Sequence, residues 1–308
     1  MGNQNHSYYK VKYINCKVCG ADDFKLLGIR GNLEYFGAST LKNERPHMIT
    51  NVVRCKKCDF VYTNPYIITD EAIHFYNNPD TYFSSVSGNE EKLFKRTLSL
   101  LEKFSKKGRL LDIGSGKGEF LNLARDSGWE VYGIEMSEQL ATYSENKYNL
   151  KIEKRPIEEI GYPDRFFNAV TLNMVLEHLE APNNIIKEAY RILSDEGVIL
   201  IEVPNMNSFL LKAIKLFFLI KGKAWSPFLS PLHKPYHSYG YSNSTLKFLL
   251  NSHNLKVIKI INGNLSNRGI EEKSSAPPLL RIVGLIITAV GAIFGMGDVT
   301  TIIAKKKK

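Results

Sequence analysis

Five residues, Gly114-Ser115-Gly116-Lys117-Gly118, narrow most sharply what this chain can fold into. They lie between a short apolar segment at 109–113 and a helical pattern at 119–127, which predicts a strand, a glycine turn and a helix in succession. Glycine at alternate positions lets the main chain adopt positive φ and come close to a ligand where a side chain would collide. The spacing argues against two common uses of such a turn. A dinucleotide fold needs Gly-x-Gly-x-x-Gly, and a phosphate-cradling loop needs Ser or Thr after Gly-Lys, where this chain has Gly118.

Further strands are predicted at 130–134 and near 151–154, 169–172, 198–203, 256–261 and 300–304, with Ser137 as an N-cap for the helix after the second. Alternating strands and helices predict a parallel sheet covered on both faces, with ligands held outside the carboxyl ends of its strands. Glu135 ends the second strand, where it can accept hydrogen bonds from both ribose hydroxyls; a solvated strand-end acid is the alternative.

Asp112-x-Gly114-x-Gly116-x-Gly118 resembles motif I of the class I S-adenosylmethionine (SAM) methyltransferases. Residues 166–179, which include Asn173-Met174-Val175-Leu176-Glu177-His178, resemble the fourth-strand motif of small-molecule enzymes related to the ubiquinone O-methyltransferases. Residues 191–205 are similar to the helix and strand that follow, and the likeness covers about 108–205 and 236–305. It implies an α/β, Rossmann-like, seven-stranded class I methyltransferase sheet with SAM as cofactor. By the same resemblance Asp112, Gly114, Gly116 and Gly118 surround the methionine end, Glu135 and Met136 the ribose and adenine, and Ile157 the adenine edge, with Ser115 and Asn173 lining the same crevice. The chain departs from the pattern at Pro156, where an acid often meets the adenine amine, and at Asn168, which replaces the usual Asp.

Methyl transfer to a hydroxyl needs a base, and histidine suits that role near neutral pH. His178, just after the fourth strand, is the first candidate; the alternative is that Glu177-His178 braces the start of the next helix. His237, with His233 and Tyr239, lies in an aromatic loop at 231–242 that resembles an acceptor-pocket lid, though ordinary loop aromatics would look the same. In the ubiquinone relatives an acidic cluster around the histidine matching His178 goes with a divalent metal. Met174 stands where a further acid would be expected, so no catalytic metal is expected.

The chain has four cysteines, which form two Cys-x-x-Cys pairs, Cys16/Cys19 and Cys55/Cys58. Four thiolates in two knuckles suit a structural zinc ion with no open coordination position. Free buried thiols or a redox pair are the alternatives. At 308 residues the chain divides into an expected zinc ribbon-like module at 1–75, a helical linker at 76–107 and a methyltransferase domain at 108–308, with helices expected near 70–77, across the first boundary, and 90–106. No apolar h-region opens the sequence, so the cytoplasm is the expected compartment.

A formal net charge of +10 favours anionic partners. Apolar insertions at about 206–235 and 264–297 contain the runs 209–221 and 282–296, both shorter than the roughly 20 residues of a spanning helix. Beside lysines, including 305–308, they predict peripheral attachment to the inner, anionic face of a membrane; burial or a homodimer interface accounts for them equally. The expected function is SAM-dependent methylation of a small or lipid-linked metabolite of sugar, polyprenyl or secondary-metabolite type, with O-methylation favoured. The alternatives are an RNA methyltransferase and a zinc ribbon adaptor that binds SAM without turnover. Nucleic acid is not the expected partner, because Asn173-Met174-Val175-Leu176 replaces an Asn-Pro-Pro-Tyr-like base grip.

Overall fold

The computed structural model describes residues 9–31, 49–69, 90–231, 236–263 and 278–307. The helix expected at 70–77 and His233 lie outside the described residues. The chain opens with strands β1 (Tyr9–Lys12), β2 (Phe24–Gly31), β3 (Ile49–Cys55), β4 (Val61–Thr63) and β5 (Tyr66–Thr69), then helix α1 (Glu90–Glu102). The larger part runs β6 (Arg109–Ile113), α2 (Glu119–Asp126), β7 (Glu130–Ile134), α3 (Glu138–Tyr148), β8 (Ile152–Glu153), α4 (Ile157–Ile160), β9 (Phe167–Asn173), a 3-10 turn (Leu176–His178), α5 (Pro182–Ile192) and β10 (Leu193–Pro204). It ends with α6 (Phe209–Ile220), β11 (Tyr239–Gly240), α7 (Asn243–Ser252), β12 (Leu255–Gly263), α8 (Pro278–Ile293) and β13 (Val299–Lys306).

Seven strands make the central sheet in the order β12-β13-β10-β9-β6-β7-β8. Its middle strands are apolar on both faces because helices cover both: Leu110, Leu111, Val170, Leu172, Ile199 and Ile201 are each at most 1% exposed. Helix α2 supplies Phe120, Leu121 and Ala124 to one face, and α5 supplies Ile185, Ile186, Ala189 and Ile192 to the other. Truncating one such side chain, as in Leu111→Ala, removes about 2–5 kcal/mol. Ser137 caps α3 as expected, its hydroxyl accepting from Leu140 N–H at 3.4 Å.

The sheet is mixed rather than wholly parallel, because β13 runs antiparallel to both β10 and β12. Strands β12 and β13 are the arms of one long hairpin, paired from Leu255↔Lys306 to Gly263↔Val299. The chain therefore turns back at the carboxyl end of β12 instead of crossing to the other end of the sheet. Helix α8 sits on that return, and α6 follows the carboxyl end of β10, so both inserted helices lie at the ligand-binding end.

Strands β2, β3 and β4 form an antiparallel sheet whose fourth strand is β11, paired as Tyr239↔Tyr62 and Gly240↔Val61. Residues far along the chain thus complete the N-terminal sheet. Asp59 adds a second tie, its carboxylate accepting from Ser244 Oγ at 2.7 Å and pairing with Arg54 at 3.1 Å. Asn183 at the start of α5 donates to the carbonyl of Lys17 at 2.7 Å. Cys16, Val18, Phe60 and Tyr62 consequently share one apolar cluster with Leu111 and Ile113 of the central sheet.

Candidate cofactor crevice and metal cluster

The glycine turn follows β6 at the carboxyl edge of the sheet. Gly114, Gly116 and Gly118 have φ of 72°, 53° and 76°, the left-handed region that an L side chain enters at about 1–2 kcal/mol. Their surroundings differ. A Cβ on Gly114 would meet Val175 at 2.5 Å and one on Gly118 would meet Ser144 at 2.6 Å, whereas one on Gly116 meets nothing within 4 Å. Gly114 and Gly118 are therefore held by packing, and Gly116 opens onto free space.

That space is bordered by polar groups from three strands. Asp112, 2% exposed, accepts from Thr171 Oγ1 at 2.6 Å and from Asn173 Nδ2 at 3.1 Å. Burial pushes its carboxyl up to about 7, against the hydrogen bonds from Thr171 and Asn173 and with help from the nearby Glu135. Glu135 accepts from Gly116 N–H at 2.9 Å and Ser137 N–H at 2.8 Å, and burial raises its carboxyl despite these donors. Two main-chain donors leave a carboxylate further acceptor positions, which two ribose hydroxyls can use. Met136 beside it is 59% exposed, free to lie over a flat ring. Asn173 Oδ1 and Ser115 Oγ are buried with no hydrogen-bond partner, an arrangement that a bound ligand's polar groups would complete. An open glycine, a ribose-type acid and two unsatisfied polar atoms on one rim fit SAM. Ile157, by contrast, is 2% exposed at the start of α4 and packs in the core cluster with Leu111 and Ile134.

Beyond β9 the chain bends sharply. Met174 takes φ 57°, its N–H donating to the carbonyl of Glu202 at 2.8 Å, and the 3-10 turn then carries Glu177 and His178. Helix α5 starts from Ala181 with Pro182 in its first turn and has no side-chain cap, so neither Glu177 nor His178 caps it. Instead the His178 ring lies 4.8 Å from that of His237, centroid to centroid. Burial pushes the His178 imidazolium down to about 4, so the ring is neutral at physiological pH. A carboxylate oxygen of Glu177 and one ring nitrogen from each histidine lie within 4.8 Å of one another. Such a set can also grip a divalent cation. Met174 removes one acid from this place, and His237 brings in a donor from the far loop that spacing along the sequence does not reveal.

The four cysteine sulfurs also lie within 4.8 Å of one another, with Cys16–Cys58 and Cys19–Cys55 at 3.4 Å. A tetrahedral zinc–thiolate site, at about 2.3 Å per bond, separates its sulfurs by roughly 3.8 Å, so the cluster fits. The two knuckles match residue for residue. Gly20 N–H donates to Cys16 O at 2.8 Å and Asp59 N–H to Cys55 O at 3.0 Å, and both turn residues have positive φ, 75° and 68°. Glycine and aspartate are among the residues that tolerate this conformation.

A cleft of about 790 Å³ lies against the first knuckle, lined by residues that include Lys12, Cys16, Asn183, Phe248 and His253. It contains none of the groups that border the glycine turn, and chemistry rather than size marks the turn as the site.

Residues 86–260 match the family model described as a methyltransferase domain, more than half of the chain. The chain belongs to this methyltransferase-domain family. This methyltransferase-domain chain is 33% identical over 120 residues to an uncharacterized protein of Methanocaldococcus jannaschii, covering 39% of this chain and 56% of the relative. It is 24% identical over 170 residues to the ubiquinone/menaquinone biosynthesis C-methyltransferase of Geobacter sulfurreducens, covering 51% and 65%. The chain thus spans roughly half to two thirds of these curated relatives. Among solved structures, a SAM-dependent methyltransferase from Archaeoglobus fulgidus superposes with a TM-score of 0.51 at 25% identity, covering 70% of this chain and 94% of that one. A second, from Thermotoga maritima, gives 0.52 at 19% identity, over 76% and 97%, a likeness of fold.

Proposed function

We propose that this protein transfers the methyl group of SAM to a hydroxyl of a small or lipid-linked metabolite, with His178 taking the hydroxyl proton. One observation carries the choice of a hydroxyl acceptor: the His178–His237 pair, at 4.8 Å, follows the same strand end that supplies Asn173 to the crevice. SAM supplies an electrophilic methyl carbon on a sulfonium. Asp112 and Asn173 hold the cationic methionine end, Gly116 lets it approach the main chain, and Glu135 fixes the ribose. His178, neutral beforehand, would take the proton that the acceptor hydroxyl gives up when bound SAM supplies its methyl group. His237 faces the imidazolium and orients it. Cys16, Cys19, Cys55 and Cys58 hold a structural zinc ion away from the transfer.

Incubation with methyl-labelled SAM and fractionated polar and lipid extracts identifies the acceptor. With that acceptor, His178→Ala is expected to lower kcat by about 10²–10⁴-fold, the range for loss of a general base, with SAM affinity by calorimetry unchanged. Full turnover in both His178→Ala and His237→Ala would remove these residues from the chemistry.

A further inference from the structure

Helices of a folded domain normally turn their apolar stripe inward. In α6 and α8 the apolar stripe faces out. Helix α6, FLLKAIKLFFLI, has no buried residue, and Leu216, Phe217, Leu219 and Ile220 are 55–75% exposed. In α8 the outward residues Ile282, Leu285, Ile286 and Ile293, at 55–81% exposed, recur at helical spacing, and Phe294 follows at 70%. The two helices are locked together at their bases. Phe209 N–H donates to Met296 O at 2.9 Å, Ser208 Oγ to Asp298 at 2.7 Å, and a Cβ on Gly291 would meet Phe209 at 2.8 Å. The outcome is a joint apolar surface at the carboxyl end of the sheet, the end at which the crevice opens.

The two helical segments themselves carry charge of one sign. Residues 206–231 hold four lysines and no acid, and 278–297 hold one arginine and no acid. Lys212 on α6 and Lys221 at its C-terminal cap are both exposed. No helix among the described residues is long and apolar enough to cross a membrane; at 16 residues α8 reaches only about 24 Å, short of a hydrocarbon core of about 30 Å. We infer that the outward faces of α6 and α8 form a docking surface for an anionic lipid bilayer, which seats the apolar side chains among the acyl chains and the lysines among the headgroups. This orientation turns the crevice towards the membrane and, resting on the proposed methyl transfer, selects a lipid-linked acceptor over a freely soluble one.

The test is flotation of the full chain with vesicles of phosphatidylcholine alone or mixed with phosphatidylglycerol, alongside the double variants Phe217→Glu/Ile220→Glu and Leu285→Glu/Ile286→Glu. The wild type is expected to float with the anionic vesicles, less at high salt and less with phosphatidylcholine alone, and each double variant to lose about tenfold or more in partition. SAM calorimetry on the same proteins reports whether they are folded. Wild-type protein that stays at the bottom with anionic vesicles overturns the inference. So does a stable dimer in sedimentation that the same substitutions dissociate, because the face is then covered by a second copy. Vesicle binding without SAM binding would sink the methyl-transfer reading and leave the docking surface standing.

Discussion

At the scale of single residues, Asp112 gives the crevice a pH dependence. Its carboxyl, at about 7 through burial, is largely protonated in mildly acidic solution. The methionine end of SAM carries an ammonium and a sulfonium, both of which favour the ionised form, so binding must release the proton below pH 7. SAM affinity is therefore expected to fall by up to about tenfold per pH unit below 7 and to level off above it. Calorimetry in buffers of different ionisation enthalpy should show proton release that disappears in Asp112→Asn; a flat affinity from pH 5.5 to 8 would contradict the role. The glycines separate in a similar way. Gly116→Ala adds a methyl to open space and should weaken SAM binding with a stability loss of only about 1–2 kcal/mol, whereas Gly118→Ala drives a methyl into Ser144 and should lower Tm further. Sequence alone marked all three glycines, because alternate spacing records positive φ, but it did not show that two are held by packing. Ile157, which the resemblance places at the adenine edge, is buried at the start of a short helix that packs on the core.

Among the secondary elements, the loop and strand around β11 join the two chemistries. Tyr239 and Gly240 complete the sheet of the cysteine module, and His237 stands two residues before them. Phe60, between Cys58 and β4, stacks on Tyr239 at 5.8 Å and meets Tyr241 at 5.1 Å. Whatever holds the knuckles in place therefore also positions the proposed acceptor wall. Purified protein is expected to carry one zinc per chain by elemental analysis, and Cys58→Ser to lose it. Its removal should lower Tm and also reduce turnover, with SAM affinity less affected, because the glycine turn sits on β6 rather than on this sheet. A metal-free chain with full activity would detach the module from the site. Paired Cys-x-x-Cys spacing made the cluster legible before any coordinates. The bond between the module and the site was not, since β11 has two residues and no pattern of its own; only tertiary pairing reveals it. The reversal of β13 was hidden for a related reason, as its apolar run reads the same in either direction.

For the molecule as a whole, the distribution of charge matters more than its sum. A net +10 and a lysine-rich end at 305–308 suggest that the terminal lysines and the apolar insertions serve one surface. The fold separates them. Strand β13 begins at Val299, beside Pro204 at the crevice end, and runs back to pair Lys306 with Leu255 at the start of β12. Seven steps along a strand span about 23 Å, more than two screening lengths at physiological salt. Lys306 is moreover engaged at the far end, over the ring of Tyr190 at 4.7 Å. The terminal lysines should thus add little to attachment through α6 and α8. Deleting Lys307 and Lys308 is expected to leave partition onto anionic vesicles within about twofold, while Lys212→Gln/Lys221→Gln, two charges removed at the surface itself, should lower it by about tenfold or more. The reverse order, with the tail dominant and the α6 lysines silent, would mean that the opposite end of the sheet meets the bilayer and the crevice faces away from it.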